Sequence, residues 1–259
     1  MVIAMNKAAV PLAGAASRSS SRRPLWQSAL AQLRLDATRV GSFGPGDVLL
    51  LLGVVAISLL LAVLTKFAGM DVRVASGLIG GITGLSAVAG WSMALGPSVM
   101  EDQNGHRAMA GLVPIARTPQ VIGRFFYLLY AAALWSVTIG VCNLVFDALL
   151  KGGADFSDFF APCATVFAAV VVFGSIMLAC TYRFGVRQLM IVAAVIMGSL
   201  YLLMALLSFL PVAWQSVILT VFEFLSVPWH AVLVGVVLCV VAYGASLFVA
   251  IRIFNAKDL

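Results

Sequence analysis

The stretch "VLLLLGVVAISLLLAVL", residues 48–64, contains no charged residue, no amide and no histidine. An α-helix rises about 1.5 Å per residue, so about 20 apolar residues cross a hydrocarbon core of about 30 Å. This stretch and its flanks fit that length. Five more runs have the same character: residues 74–95, 121–149, 159–182, 189–210 and 229–254. An all-α integral membrane fold with six transmembrane helices is expected. The whole composition agrees. The chain has 259 residues, of which 63% are hydrophobic and 10% charged, and its mean hydropathy is +1.09. A soluble domain carries about 25% charge, so lipid is the solvent that this surface requires.

The net charge of +6 would suit a nucleic-acid partner if it were clustered on one face. Instead the charges fall between the apolar runs, which argues against nucleic acid. Basic loops mark the cytoplasmic side of a membrane protein. With the N-terminus inside, the inner segments hold Lys7, Arg18, Arg22, Arg23, Arg34, Arg39, Arg107, Arg117, Arg124, Arg183, Arg187, Arg252 and Lys257. Only Lys66, Arg73 and Lys151 remain outside. Both termini are therefore expected in the cytoplasm.

Three segments are read along the chain. Residues 1–23 form a basic cytoplasmic tail without the apolar centre of a secretory signal. Residues 24–46 hold an amphipathic interface helix and a turn. Within them, "PLWQSALAQLRLDATRV" places Leu25, Trp26, Ala29, Leu33, Ala37 and Val40 on one face. Gln27, Gln32, Arg34, Asp36 and Arg39 fall largely elsewhere, as on a helix lying in the bilayer interface. Residues 47–259 form the six-span domain, with a cytoplasmic loop at 97–120.

Catalytic and metal motifs are missing. "GSFGPGD" lacks the lysine of a phosphate loop, and no HExxH or paired-histidine ligand set occurs. His106 and His230 are expected on opposite membrane faces. Ser58, Ser86, Ser136, Ser175 and Ser199 lie in spans with no base beside them. Cys142, Cys163, Cys180 and Cys239 all sit in apolar runs and read as small packing residues. The spans also lack the buried acid that an ion-driven carrier uses, which points to an energy source on another chain. "GLIGGITGLSAVAG" in the second run holds the small-xxx-small pairs Gly77/Gly81 and Gly80/Gly84. Close helix packing is their ordinary meaning. A dimer seam or a translocation path through Gly77, Gly81 and Gly84 is the functional one.

Between the second and third runs lies a polar island, "MEDQNGHRAMAGLVPIARTPQVIGRFF", residues 100–126. Asp102 or Asn104 can cap a short helix. Ala108, Met109 and Leu112 make an apolar patch beside Arg107. Pro114 biases Val113 away from helix, and Thr118-Pro119 suits a helix start. Arg124 is expected to snorkel to the inner interface.

The island resembles the first cytoplasmic loop of ABC-2-type transporter permeases. Glu101-Asp102, then "LVPIAR" (residues 112–117), Val121 and Arg124 follow that pattern, with Val113 inserted between leucine and proline. "TYRFGVRQLMIV" (residues 181–192) resembles the family's turn between the fourth and fifth spans, through Tyr182, Phe184, Gly185 and Arg187. The resemblance implies the membrane subunit of an ATP-driven ABC exporter in a bacterial plasma membrane. It implies that the chain is no enzyme and carries no cofactor, with ATP and Mg on a partner cytoplasmic ABC ATPase. A second permease, as a homodimer or related heterodimer, is the other implied partner. The ATPase-coupling residues would be Glu101, Asp102, Arg107, Met109, Leu112, Pro114 and Arg117, joined by Arg183, Phe184 and Gly185. Phe126, Tyr130 and Tyr201 would line the path of an apolar or amphipathic cargo (peptide, drug or lipid). "PVAWQSVILTVFEFLSVPW" (residues 211–229) would form outer half-helices, with Glu223 at an extracellular gate. Two rivals stand beside this reading. A substrate-capture subunit of an energy-coupled importer would need a polar pocket, and the spans offer little beyond Asn143, Gln188 and serines. An intramembrane enzyme would need a catalytic constellation.

Overall fold

The computed structural model describes residues 24–40, 45–103, 116–151, 156–207, 220 and 228–256. Every element among them is α-helical. In chain order these are α1 (Leu25–Val40), α2 (Pro45–Phe67), α3 (Val72–Gln103), α4 (Arg117–Lys151), α5 (Phe156–Thr181), α6 (Val186–Leu207) and α7 (Pro228–Asn255). In lipid every backbone N–H and C=O must be paired within the chain, and the helix does this locally. Long runs of Leu, Val and Ala supply that shape and an apolar exterior together.

Among the described residues, four helices are long and apolar enough to cross a membrane: Val72–Glu101, Arg117–Leu150, Phe159–Thr181 and Val232–Asn255. Residues Leu51–Phe67 form a shorter apolar helix, and α6 adds a further 22-residue helix. The expected run boundaries shift mostly outward. Pro45, read above as part of a turn, opens α2, where its missing N–H costs nothing. The α3 helix continues through Pro97 to Gln103, past the expected end of the second run near Leu95. The fourth element begins at Arg117, so Thr118 and Pro119 lie in its first turn.

The centre of the bundle is α4. It packs most extensively on α5 and also meets α1, α2, α3 and α7. Val121, Phe125, Leu128, Ala132, Trp135 and Ile139 are buried along one side of it, repeating every three or four residues as a helix face must. They meet Val166, Val170 and Leu178 of α5 and Ala94 and Leu95 of α3. A second, smaller core of Ala62, Ala75, Ile79 and Phe146 closes the opposite end. There the Lys66 Nζ donates to the Leu149 carbonyl at 2.9 Å, joining α2 to the end of α4.

The outward faces are apolar. Leu49, Leu52, Ile57 and Leu60 on α2 and Leu233, Val236, Val240 and Phe248 on α7 are exposed. Such a face is stable in lipid and would aggregate in water. Serine hydroxyls on the helices, buried or exposed, are satisfied by their own helices. Ser58 donates to Val54, Ser136 to Ala132, Ser175 to Val172 and Ser199 to Ile196. Among the described residues the cysteines are free thiols, with Cys142 buried and the others half-buried.

Candidate coupling site at one end of the bundle

At the end of the bundle where α3 stops and α4 starts, three charged side chains meet inside the protein. Arg124, in the second turn of α4, forms an ion pair and hydrogen bond through Nη2 with the Glu101 carboxylate of α3. Its Nε lies 3.7 Å from Asp36 Oδ2 of α1. Its Nη1 donates to Ser98 Oγ at 3.5 Å. On the α1 side, Gln32 Nε2 donates to Asp36 Oδ1 at 2.9 Å. The side chains are almost closed off from solvent: Asp36 is 0% exposed, Arg124 11% and Glu101 14%. One guanidinium thus balances two carboxylates from two other helices. A cation in such a place is stable only because it is paired, and its planar fork can serve several oxygens at once.

Two sequence expectations change here. Arg124 does not snorkel outward; it turns inward, because Asp36 and Glu101 offer charge closer than water does. The inward face of α1 cuts across the predicted polar and apolar sides: Gln27 and Arg34 are exposed, but Gln32 and Asp36 are not. Ala29, Gln32, Asp36 and Ala37 are buried, whereas Leu25, Trp26 and Leu30 are exposed. The small side chains let the helices approach. A Cβ on Gly123 of α4 would stand 2.6 Å from Gln32 Cβ and 2.7 Å from the Ala29 carbonyl, so the α1–α4 contact requires glycine there.

The cluster extends to the other helix ends. Tyr182, in the turn after α5, receives the Arg124 guanidinium 5.8 Å from its ring centroid. Burial pushes the Tyr182 phenol up to about 12, so it stays neutral beside the ions. Its ring meets Phe254 of α7 at 5.3 Å. Arg117 Nη1 donates to the Phe254 and Asn255 carbonyls at 3.5 and 3.4 Å. A cation at the last carbonyls of a helix is electrostatically favourable. The ends of α1, α3, α4, α5 and α7 are therefore joined by side chains around one spot.

The predicted coupling residues distribute as follows. Glu101 and Arg117 belong to this cluster. Asp102 lies in the last turn of α3, with its side chain outside the described residues. Arg107, Met109, Leu112 and Pro114 lie outside the described residues altogether. Arg183 is exposed, with its guanidinium 5.7 Å from the Phe184 ring centroid. The Gly185 N–H donates to Gln188 Oε1 at 3.4 Å, at the start of α6. Asp36 was missed by sequence reasoning. Its signal was its spacing of seven residues from Ala29, which sets both on one helix face.

The predicted path residues are not gathered. Gly77, Gly81 and Gly84 on α3 have no atom within 4 Å of a built Cβ, and Gly80 is the same. Among the described residues they line no close helix contact. Gly84 borders an apolar cavity of about 190 Å³ between α3, α5 and α6, with Trp91, Phe173, Met177 and Ile196. Gly77, Gly81, Phe126 and Tyr130 are not in its lining. Phe126 is exposed on α4, and Tyr130 stacks on Tyr127 with centroids 6.0 Å apart. Tyr201 lies on α6, with its side chain outside the described residues, and Glu223 lies outside them entirely.

No curated protein and no solved structure matches this chain. The ABC-2 family transporter protein family matches it over residues 51–255, a range that runs from the first turns of α2 to the last residue of α7. Apolar helices of spanning length and a match across most of the sequence agree: the chain belongs to the ABC-2 transporter family, as a membrane permease of that type.

Proposed function

We propose that this protein is the membrane-spanning subunit of an ATP-driven exporter, coupled to a separate cytoplasmic ABC ATPase. The observation that carries the reading is the family match over residues 51–255. The ABC-2 permease class implies an ABC ATPase and a lipid bilayer as partners. In this reading α2 to α7 all cross the plasma membrane, and both termini lie in the cytoplasm, where most of the basic residues then stand. The α1 helix lies at the inner interface and offers the exposed Leu25 and Trp26 to lipid. Residues 1–23 are the basic tail, 24–46 the interface helix and turn, and 47–259 the transmembrane domain.

Residues 97–120, which include the last turns of α3 and the first turn of α4, are the segment gripped by the ATPase. Asp102, Arg107, Met109, Leu112 and Pro114 form its contact surface, while Glu101 and Arg117 fix its two ends to the bundle. Arg183, Phe184 and Gly185 form a smaller second contact. ATP and Mg belong to the ATPase. Two permeases pair, as a homodimer or with a related chain, and an apolar or amphipathic cargo passes between them. Gly77, Gly81, Gly84, Phe126, Tyr130 and Tyr201 face the path or the seam, and Glu223 stands at the outer gate. Alternating access follows from closure of the ATPase on ATP.

The test is co-purification of this chain with a candidate cytoplasmic ABC ATPase, followed by ATP hydrolysis in lipid nanodiscs. The wild-type chain should assemble and stimulate hydrolysis, and Asp102→Ala with Arg107→Ala should abolish both. Survival of the complex and of full stimulation in that variant would refute the coupling surface.

A further inference from the structure

The buried charge cluster lies beneath the proposed ATPase contact, and its connections define what it can do. Arg124 is the shared member: it pairs with Glu101 at the end of α3 and with Asp36 on α1, and it is itself part of α4. In the sequence, residues 104–115 join the end of α3, just after Glu101, to the start of α4 at Arg117. Any displacement of this loop is therefore applied to the two helix ends that Arg124 holds. The α1 helix is attached at the same point by the Asp36 ion pair and by the close approach at Gly123. The two halves of the grip differ. Glu101 makes a hydrogen-bonded pair, whereas the Asp36 contact at 3.7 Å is an ion pair beyond hydrogen-bond length. The contact to Glu101 is thus the closer of the two.

We propose that Arg124 is a positioning residue of the transport cycle: through Glu101 and Asp36 it makes α1 move with the ends of α3 and α4 when the ATPase moves the loop. This inference rests on the ATPase-coupled reading above. The amphipathic α1 helix then acts as a lever at the membrane surface, driven by charge rather than by lipid alone. Asp36 and Glu101 serve as its two attachment points, and neither needs to touch the ATPase or the cargo. Packed helix ends joined by a small ionic network have discrete arrangements, which is what a transmitted motion requires.

The test uses the full-length permease, alone and with its ATPase, in nanodiscs. Asp36→Asn is nearly isosteric and keeps an oxygen for Gln32, so it cuts the tie to α1 and leaves Arg124 with Glu101. Hydrogen exchange of α1 amides in the permease alone should rise tenfold or more, with α5 unchanged. In the complex, co-purification should be intact while stimulated ATP hydrolysis falls at least threefold. Glu101→Gln cuts the other tie and should lower stimulation at least as far. Arg124→Lys keeps the charge but loses the fork, and should fall between wild type and Asp36→Asn in both readouts. Unchanged α1 exchange in Asp36→Asn would overturn the proposal. So would raised exchange with full stimulation in an intact complex. If the wild-type chain stimulates no ATPase, the functional reading itself fails, and the exchange arm still shows whether Asp36 holds α1.

Discussion

The two halves of α3 obey different packing rules. In the half that starts at Val72, Ala75 and Ile79 are buried, but Gly77, Gly80, Gly81 and Gly84 face space empty within 4 Å. In the half that ends at Gln103, Gly90 approaches α5 so closely that a Cβ would stand 2.8 Å from Val170 Cγ2. Ala94, Leu95 and Pro97 are buried there, and Glu101 ends the run on Arg124. Among the described residues, the glycine pairs with the recognised small-xxx-small spacing meet no neighbour, while the isolated Gly90 and Gly123 do. Spacing shows that a helix can be approached closely. It does not show that anything in the same chain approaches.

That contrast can be broken from the crowded end first. Arg124→Leu leaves Asp36 and Glu101 buried without their shared cation. Removing one partner of a buried pair costs about 3–5 kcal/mol, so the unfolding midpoint in a graded denaturing detergent should drop more than for any other single change considered. Gly123→Leu forces α1 off α4, because the obstacle includes the Ala29 backbone carbonyl. Overpacking of this kind costs about 1–3 kcal/mol, and proteolysis should then cleave α1 first. At the other end, Lys66→Ala removes the donor to the Leu149 carbonyl. The loss should be about 0.3–1 kcal/mol, read by the same unfolding assay. The smallest effect on the single chain belongs to Gly81→Leu, within about 0.5 kcal/mol. If the open α3 face is the seam between two permeases, the same variant should nonetheless abolish chemical cross-linking of two chains. A large destabilisation from Gly81→Leu in the monomer would remove the distinction between the two halves.

Much of the helical arrangement was legible because lipid imposes a simple length rule. Apolar runs near 20 residues became helices, and their expected centres agree with α2 to α7. Boundaries moved where polar groups found internal partners. The α3 helix runs on to Gln103 because Glu101 is held by Arg124, although its charge seemed to place it in a loop. The coupling island was legible as a chemical anomaly and as a family resemblance. Its internal wiring was not. Asp36, Glu101 and Arg124 are far apart in sequence, and nothing local pairs them. Arg117 stood in the sequence as the end of the "LVPIAR" motif, and only folding brought it to the carbonyls of Phe254 and Asn255.

The sequence by itself determined that this is a membrane protein of apolar helices, because backbone pairing in lipid and helix length depend on local composition alone. It also pointed to the ABC-2 family through two short motifs. Only the tertiary structure decided which charges are buried, which glycines are crowded and which face of α1 turns inward. Those outcomes depend on what another helix presents at contact distance. A buried charge is stable only beside its opposite, and that neighbour is chosen by packing.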